Sequence, residues 1–326
     1  MPRQRASVPE LAIITPVFNE VDGLKAYFET VERVFFNAPG IDARLILVDD
    51  GSTDGSWDLI CQASNGSSRI SGVRLSRNFG AHVALMAGLE QVSSSVDVAA
   101  FLAADLQDPP EKVLEFIKEW RAGADIVWGS RRQRSDSAWR RVASSIMEGT
   151  LRRHAMPPNS KFRTGSFLLL DRVVIDCFLR YRESTRVTFA LVAWTGFQQT
   201  VVEYDRRRRE TGRSGWSFGK MVNTAYDALI GHSQMPARLV TSIGFITFIL
   251  SNVAIAFMIV DWIMRRVQPG WTGLMVTVTF FFGLLFMMMG MITEYLYRIF
   301  VETKNRPLYF IADRTGLPPE LTGQHD

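Results

Sequence analysis

Two long stretches without a formal charge constrain this chain more than any other feature. Residues 239–260 form the first, 22 residues, and residues 271–293 form the second, 23 residues. A helix rises about 1.5 Å per residue, so each stretch would reach roughly 33–35 Å, enough for a hydrocarbon core of about 30 Å. Both are apolar on every face and adjacent in sequence, which favours a membrane hairpin over a pair of buried core helices. Asn252 is the strongly polar interior residue of the first stretch and is expected to face the second helix. Residues 265–270 make a short connection that contains Pro269 and Gly270. Lys220 and Arg238 precede the hairpin, Arg298, Lys304 and Arg306 follow it, and the connection carries Arg265 and Arg266. The positive-inside rule then places both flanks, and the large N-terminal region, in the cytoplasm. Residues 1–10 lack an apolar signal-peptide core, in keeping with that side.

Outside the hairpin the chain reads as a folded enzyme-sized region. Its 326 residues are 47% hydrophobic and 21% charged, which excludes a disordered chain. The net charge of +4 is too mild to argue for a nucleic-acid partner. Two cysteines, Cys61 and Cys177, make neither a disulfide framework nor a CxxC metal site, which suits a reducing compartment. The four histidines are scattered and offer no zinc cluster.

Residues 11–205 alternate strand and helix patterns. Apolar runs at 11–17, 45–50, 73–76, 96–104 and 124–129 read as strands. The stretch 81–92 and the segment opened by Pro109 and Pro110 and running through Trp120 read as helices. Apolar strands separated by such helices predict a parallel α/β sheet covered on both faces, with ligands bound at the carboxyl ends of the strands. No GxGxxG follows the first strand and no GxxxxGK[ST] occurs, so neither a Rossmann dinucleotide site nor a P-loop is present. Asp50-Gly-Ser52-Thr-Asp54 starts like a calcium loop, but Cys61 stands where the bidentate Glu is needed. What remains at the strand ends is Glu20, Asp50 and Asp105, with Gln107. Any one of these acids alone would be read as a helix cap, and Asp54 before Gly55-Ser56-Trp57 has that reading too. Three strand ends converging on one crevice suggest a site.

The segments that carry these residues are Thr-Pro-Val-Phe-Asn-Glu (15–20), Val-Asp-Asp-Gly-Ser-Thr-Asp-Gly-Ser (48–56), Ser-Arg-Asn-Phe-Gly (76–80) and Ala-Asp-Leu-Gln-Asp-Pro-Pro-Glu (104–111). Together they resemble the family-2 glycosyltransferases of the GT-A fold, and among them the polyprenyl-phosphate branch: dolichyl-phosphate mannose synthases, bactoprenol glucosyltransferases and undecaprenyl-phosphate aminoarabinose transferases. The resemblance continues through Trp-Thr-Gly-Phe-Gln (194–198), Arg209 with Gly212-Arg-Ser, the two apolar stretches and Arg-Pro-Leu-Tyr (306–309). It implies a nucleotide-sugar donor, a polyprenyl-phosphate acceptor at the bilayer and a divalent Mg2+ or Mn2+ ion. By position, Pro16, Phe18, Glu20, Val48, Asp50 and Ala104 would hold the nucleotide, Asp105 and Gln107 the metal, and Asp105, Arg131 and Arg209 the reacting diphosphate. Relatives of this kind also imply a homo-oligomer and a bacterial inner membrane. The chemistry suits these residue types. A leaving diphosphate develops charge that a metal and guanidinium forks stabilise. An Asp and a Gln two residues apart on an extended segment would point the same way.

Three positions depart from the family pattern. Ala103 stands where the family has a first carboxylate before Ala-Asp-Leu-Gln. Ser166 and Phe162 occupy the two positions at which branches of the family carry a further acid. Gly215 stands six residues after Arg209 in place of a lysine. A phosphate acceptor, with a second pKa near 6, needs no general base, and Lys161, Arg163 and Arg213 could supply compensating charge. Two readings therefore stay open: an active inverting transferase, and a non-catalytic scaffold or partner subunit on the same fold. A transporter accessory is disfavoured, because neither apolar stretch carries an intramembrane charge.

Residues 137–154 and 216–235 read as basic amphipathic helices at the bilayer interface. Trp139, Val142, Ile146 and Leu151 form the apolar face of the first, and Val222, Tyr226, Leu229 and Ile230 that of the second. The expected organisation is a GT-A catalytic domain over 1–205, a basic juxtamembrane segment over 206–237, two transmembrane helices over 238–297 and a cytoplasmic tail over 298–326.

Overall fold

The computed structural model describes residues 5–132, 167–181, 188–206, 271–304 and 306–317, with isolated helical positions between 242 and 264. Both expected interfacial helices, most of the first apolar stretch, and Lys161, Phe162, Arg163, Ser166, Arg209, Arg213 and Gly215 lie outside these residues. The chain divides into two compact units, residues 1–225 with 307–326, and residues 226–306.

The first unit is built on an eight-stranded sheet in the order β7-β5-β6-β4-β1-β2-β3-β8. The strands are β1 (Glu10–Val17), β2 (Asp42–Asp49), β3 (Ile70–Leu75), β4 (Val98–Phe101), β5 (Ile126–Arg131), β6 (Leu168–Asp171), β7 (Gln199–Tyr204) and β8 (Ile311–Thr315). The helices are α1 (Val21–Val31), extended by a π-helical turn over Glu32–Phe36, then α2 (Ser56–Gly66), α3 (Ala81–Glu90), α4 (Lys112–Arg121), α5 (Arg172–Phe178) and α6 (Thr188–Trp194). The five strands and two helices expected from the sequence are present, shifted at their ends by a few residues.

Alternation along the central strand sets the two layers. Leu11, Ile13 and Val17 of β1 pack with Tyr27, Trp57, Ile60, Phe116 and Trp120 in one core. Val48 and Val73 join Ala84 and Ala87 of α3 in a second core. Successive side chains of a strand point to opposite faces, so covering both faces requires near-continuous apolar runs. The buried Thr15 is accommodated because its hydroxyl and that of Tyr27 share a hydrogen bond of 2.5 Å.

The sheet is mixed rather than parallel. β1 runs parallel to β2 and β4, and β2 to β3. β6 inserts between β4 and β5 antiparallel to both, and β8 pairs antiparallel with β3. An apolar run such as Leu168-Leu169-Leu170 specifies a buried strand but not its direction. β8 was not anticipated either. It is short, contains Asp313 and Arg314, and follows the apolar region. Its place is secured by the Ser76 amide donating to the Phe310 carbonyl at 2.9 Å and by a Tyr309 hydroxyl to Glu90 hydrogen bond.

Asp171 ties three elements together. Its Oδ2 accepts the Trp120 indole N–H at 2.7 Å and its Oδ1 accepts the Val173 amide at 3.0 Å, capping α5. Asp171→Ala removes a cap and leaves a buried indole donor unsatisfied. The expected loss of stability is about 3 kcal/mol, read by urea titration of the full chain in mild detergent. A loss below about 1 kcal/mol would contradict this role.

In the second unit, α7 (Trp271–Thr303) spans 33 residues. It runs past the uncharged stretch that was expected to end at 293, through Glu294, Arg298 and Glu302, because nothing there breaks a helix. Phe280–Thr303 is long and apolar enough to cross a membrane by length and composition. Phe280, Phe282, Leu285, Ile292 and Leu296 are exposed along it. Most of the segment expected to form the paired helix lies outside the described residues.

Candidate functional site

The loops at the carboxyl ends of β1, β2 and β3 form one hydrogen-bonded unit. Asn19 turns the chain at the end of β1 with a left-handed φ of 53°. Its amide donates to Ser52 Oγ at 2.9 Å, and its side-chain carbonyl accepts the Thr53 amide at 2.9 Å. The Glu20 amide donates to Ser56 Oγ at 3.1 Å. Asp54 is not itself the N-cap residue, which is Glu20 for α1 and Gly55 for α2, but it accepts the first amide of both helices. Its Oδ2 accepts the Val21 amide at the start of α1 (3.0 Å), and its Oδ1 accepts the Ser56 amide at the start of α2 (3.0 Å). Burial works against this charge, but the hydrogen bonds from Ser56 and Val21 prevail and hold the carboxyl below the usual range.

Asp50 braces the third loop. Its Oδ1 accepts the Phe79 amide at 2.7 Å and its Oδ2 the Gly80 amide at 2.8 Å. The residue is 2% exposed. Burial raises its pKa, against the pull of the two amides. Its neighbour Asp49 is also buried and raised for the same reason, with Ser52 and then Arg74 opposing. Arg74 Nε lies 3.3 Å from Asp49 Oδ2.

Pro16 and Val48 sit side by side as register partners on β1 and β2. Val48 is fully buried and Ala104 nearly so, and neither side chain presents a surface to a ligand. Phe18, by contrast, is 45% exposed at the end of β1, where an aromatic face is open to a planar ring. Glu20 is half-buried at the start of α1.

A second group of residues stands at the ends of β4, β5 and β7. The chain after β4 is not extended through the acidic motif. Leu106 adopts a left-handed φ of 51°, and Asp105 Oδ1 accepts the Gln107 amide at 3.2 Å. The turn, rather than strand alternation, therefore sets the positions of Asp105 and Gln107. One carboxylate and one amide are hard oxygen donors. They fit an ion such as Mg2+ or Mn2+ that completes its shell with substrate phosphates and water. Among the described residues no group of three or more His, Cys, Asp or Glu forms a larger cage.

Arg131 ends β5 and is the register partner of Tyr204 on β7. Its Nε donates to the Tyr204 hydroxyl at 3.4 Å, and that hydroxyl donates to Asp108 Oδ1 at 2.5 Å. Burial opposes the Arg131 charge, but Asp108, then Tyr204 and Asp105, hold the guanidinium above its ordinary pKa. Burial, and then Asp108, push the Tyr204 phenol well above its usual range, so its hydroxyl stays protonated. Sequence reasoning selected Asp105, Gln107 and Arg131 here and missed Asp108, Tyr204 and Arg206. Asp108 lies inside the 104–111 motif, and Arg206 opens the run Arg206–Arg209, of which the resemblance points to Arg209 alone.

Comparison with known proteins identifies the family. The family model described as glycosyl transferase family 2 matches residues 12–179. An uncharacterized glycosyltransferase from Synechocystis sp. is 36% identical over 313 residues, 94% of this chain and 96% of that protein. A bactoprenol glucosyl transferase of Shigella phage SfII is 30% identical over 303 residues, 93% of this chain and 97% of that protein. Among solved structures, glucosyl-3-phosphoglycerate synthase from Mycobacterium tuberculosis matches with a TM-score of 0.46 at 17% identity, over 69% of this chain and 80% of that one. The chain belongs to glycosyl transferase family 2, and its mixed α/β sheet is the GT-A-like scaffold of a glycosyltransferase.

Proposed function

We propose that the chain transfers a sugar from a nucleoside-diphosphate donor, a UDP-sugar in the first instance, to a polyprenyl phosphate at a membrane surface, with inversion at the anomeric carbon. The observation that carries this reading is the cluster at the ends of β4, β5 and β7, where Arg131 donates to Tyr204 and faces the buried Asp108, beside loops braced by Asp50 and Asp54. The relatives named bactoprenol glucosyl transferases support a lipid-phosphate acceptor. The long apolar α7 supports anchoring in a bilayer, proposed to be a bacterial inner membrane with the catalytic domain on the cytoplasmic side.

In this mechanism the loops around Phe18, Glu20 and Asp50 hold the nucleotide. Arg131 and Arg209 offer guanidinium donors to the diphosphate. An oxygen of the acceptor phosphate attacks the anomeric carbon as the bond from that carbon to the diphosphate oxygen breaks. The electron pair leaves with the nucleoside diphosphate, and the configuration inverts. The acceptor is already ionised at neutral pH, so the absence of family acids at Ala103 and Ser166 removes no required base. A divalent ion held by Asp105 and Gln107 would supply Lewis-acid stabilisation of the leaving diphosphate.

The test uses purified chain in liposomes that contain undecaprenyl phosphate, offered labelled UDP- and GDP-sugars with Mg2+ or Mn2+ and again with EDTA. Label is expected in the lipid phase with one donor, falling by about a hundredfold or more with EDTA. No label from any donor, with folded protein, would favour the scaffold reading. Undiminished label in EDTA would overturn the metal assignment.

A further inference from the structure

We propose that Asp108 is a positioning residue that orders Arg131 and Arg206 as a pair of cations for the donor diphosphate, which adds Arg206 to the site. The inference rests on the transferase reading above. Asp108 is 2% exposed, and its Oδ1 is the common point of the group. The Tyr204 hydroxyl reaches it at 2.5 Å, Arg131 Nη2 at 3.8 Å and Arg206 Nε at 3.8 Å. Each guanidinium is partly open to solvent, at 28% and 36% side-chain exposure, while the Asp108 carboxylate is 3% exposed. The two cations thus have a buried anion behind them and an open side in front.

The distances carry the functional point. At 3.8 Å neither guanidinium makes a close bond to Asp108, because the Tyr204 hydroxyl has taken the nearest approach to Oδ1. Both guanidiniums draw on the one Oδ1 of Asp108, with Asp105 the next acid to act on Arg131, and each keeps unspent N–H donors, which a diphosphate would satisfy. A merely structural ion pair would instead close to about 2.8 Å with matched charge. The β5–β7 register that sets Arg131 opposite Tyr204 also delivers Arg206 two residues beyond the strand. Arg206 supplies a cation beside the segment in which Ala103 stands where the family has a carboxylate.

The test measures binding, not turnover. Full-length chain in detergent is titrated with UDP and GDP, and separately with UMP and GMP. Variants are Asp108→Asn, which keeps the shape and removes the charge, and Arg206→Gln, which alters an exposed side chain and should fold even where the first variant does not. Both are expected to weaken whichever diphosphate binds by about tenfold or more, and to leave the matching monophosphate within about twofold. Equal loss for the mono- and diphosphate would mean general damage to the site and overturn the proposal. Unchanged diphosphate affinity in both variants would overturn it while leaving the transferase reading intact. A wild-type chain that binds neither UDP nor GDP would sink both.

Discussion

Replacing Gly51 with alanine is expected to destabilise the catalytic domain by about 3 kcal/mol or more, whereas the same change at Gly55 costs about 1 kcal/mol. Both glycines have a left-handed φ, 75° and 91°. The conformational strain of an added Cβ is therefore similar at the two sites. Their surroundings differ. A Cβ on Gly51 would lie 2.7 Å from the Arg77 carbonyl carbon and 2.9 Å from the Asn78 nitrogen, both backbone atoms. A Cβ on Gly55 meets nothing within 4 Å. At Gly51 the 76–80 loop must move away, and that movement pulls the Phe79 and Gly80 amides from the buried Asp50 carboxylate. Nucleotide binding should fall together with stability at Gly51, and only stability should change at Gly55. Urea titration of the two variants, with UDP and GDP binding measured in parallel, decides the matter. Equal costs at the two positions would show that the loops are not locked to one another as the Asp50 bonds indicate.

The second large effect is on turnover. Asp105→Asn should lower sugar transfer on the order of 10^3-fold, since the change removes several kcal/mol of stabilisation of the leaving diphosphate. The fold should survive. Asp105 is half-buried, and its hydrogen bond from the Gln107 amide can be kept by an Asn carbonyl. The measurement is label transferred to undecaprenyl phosphate at saturating donor, with circular dichroism as the check on folding. Transfer within about tenfold of the wild type would remove Asp105 from the reacting group and force a search for another anion in the site. Metal dependence offers a cross-check. The variant should respond far less to EDTA than the wild type does.

The site was legible in the sequence wherever its bonds are local or its motif continuous. The local half of Asp54's role could be read because the Ser56 amide lies two residues on, whereas its bond to the Val21 amide, 33 residues away, could not. The strand ends could be located because buried strands require apolar runs, and a polar cluster marks where each run stops. The pairing of Asp108 with Tyr204 could not be read. The two are 96 residues apart, and only the order of β7, β5, β6 and β4 in the sheet brings them to one place. The extended reading of Asp105 and Gln107 failed for a related reason. A left-handed residue at Leu106 is a property of the turn and leaves no mark in residue type.

The residue pattern is enough to set the layered α/β architecture, the apolar region at the C-terminal side and the order of the loops that carry the acids. Each of these follows from hydrophobic period and from short-range chemistry, which act along the chain. The tertiary structure alone decided that β6 runs against its neighbours, that β8 closes the edge of the sheet beside β3, and that one buried carboxylate holds two arginines. Those features depend on which strands share a sheet. That choice is made by the summed burial and hydrogen bonding of the whole domain, not by any segment within it.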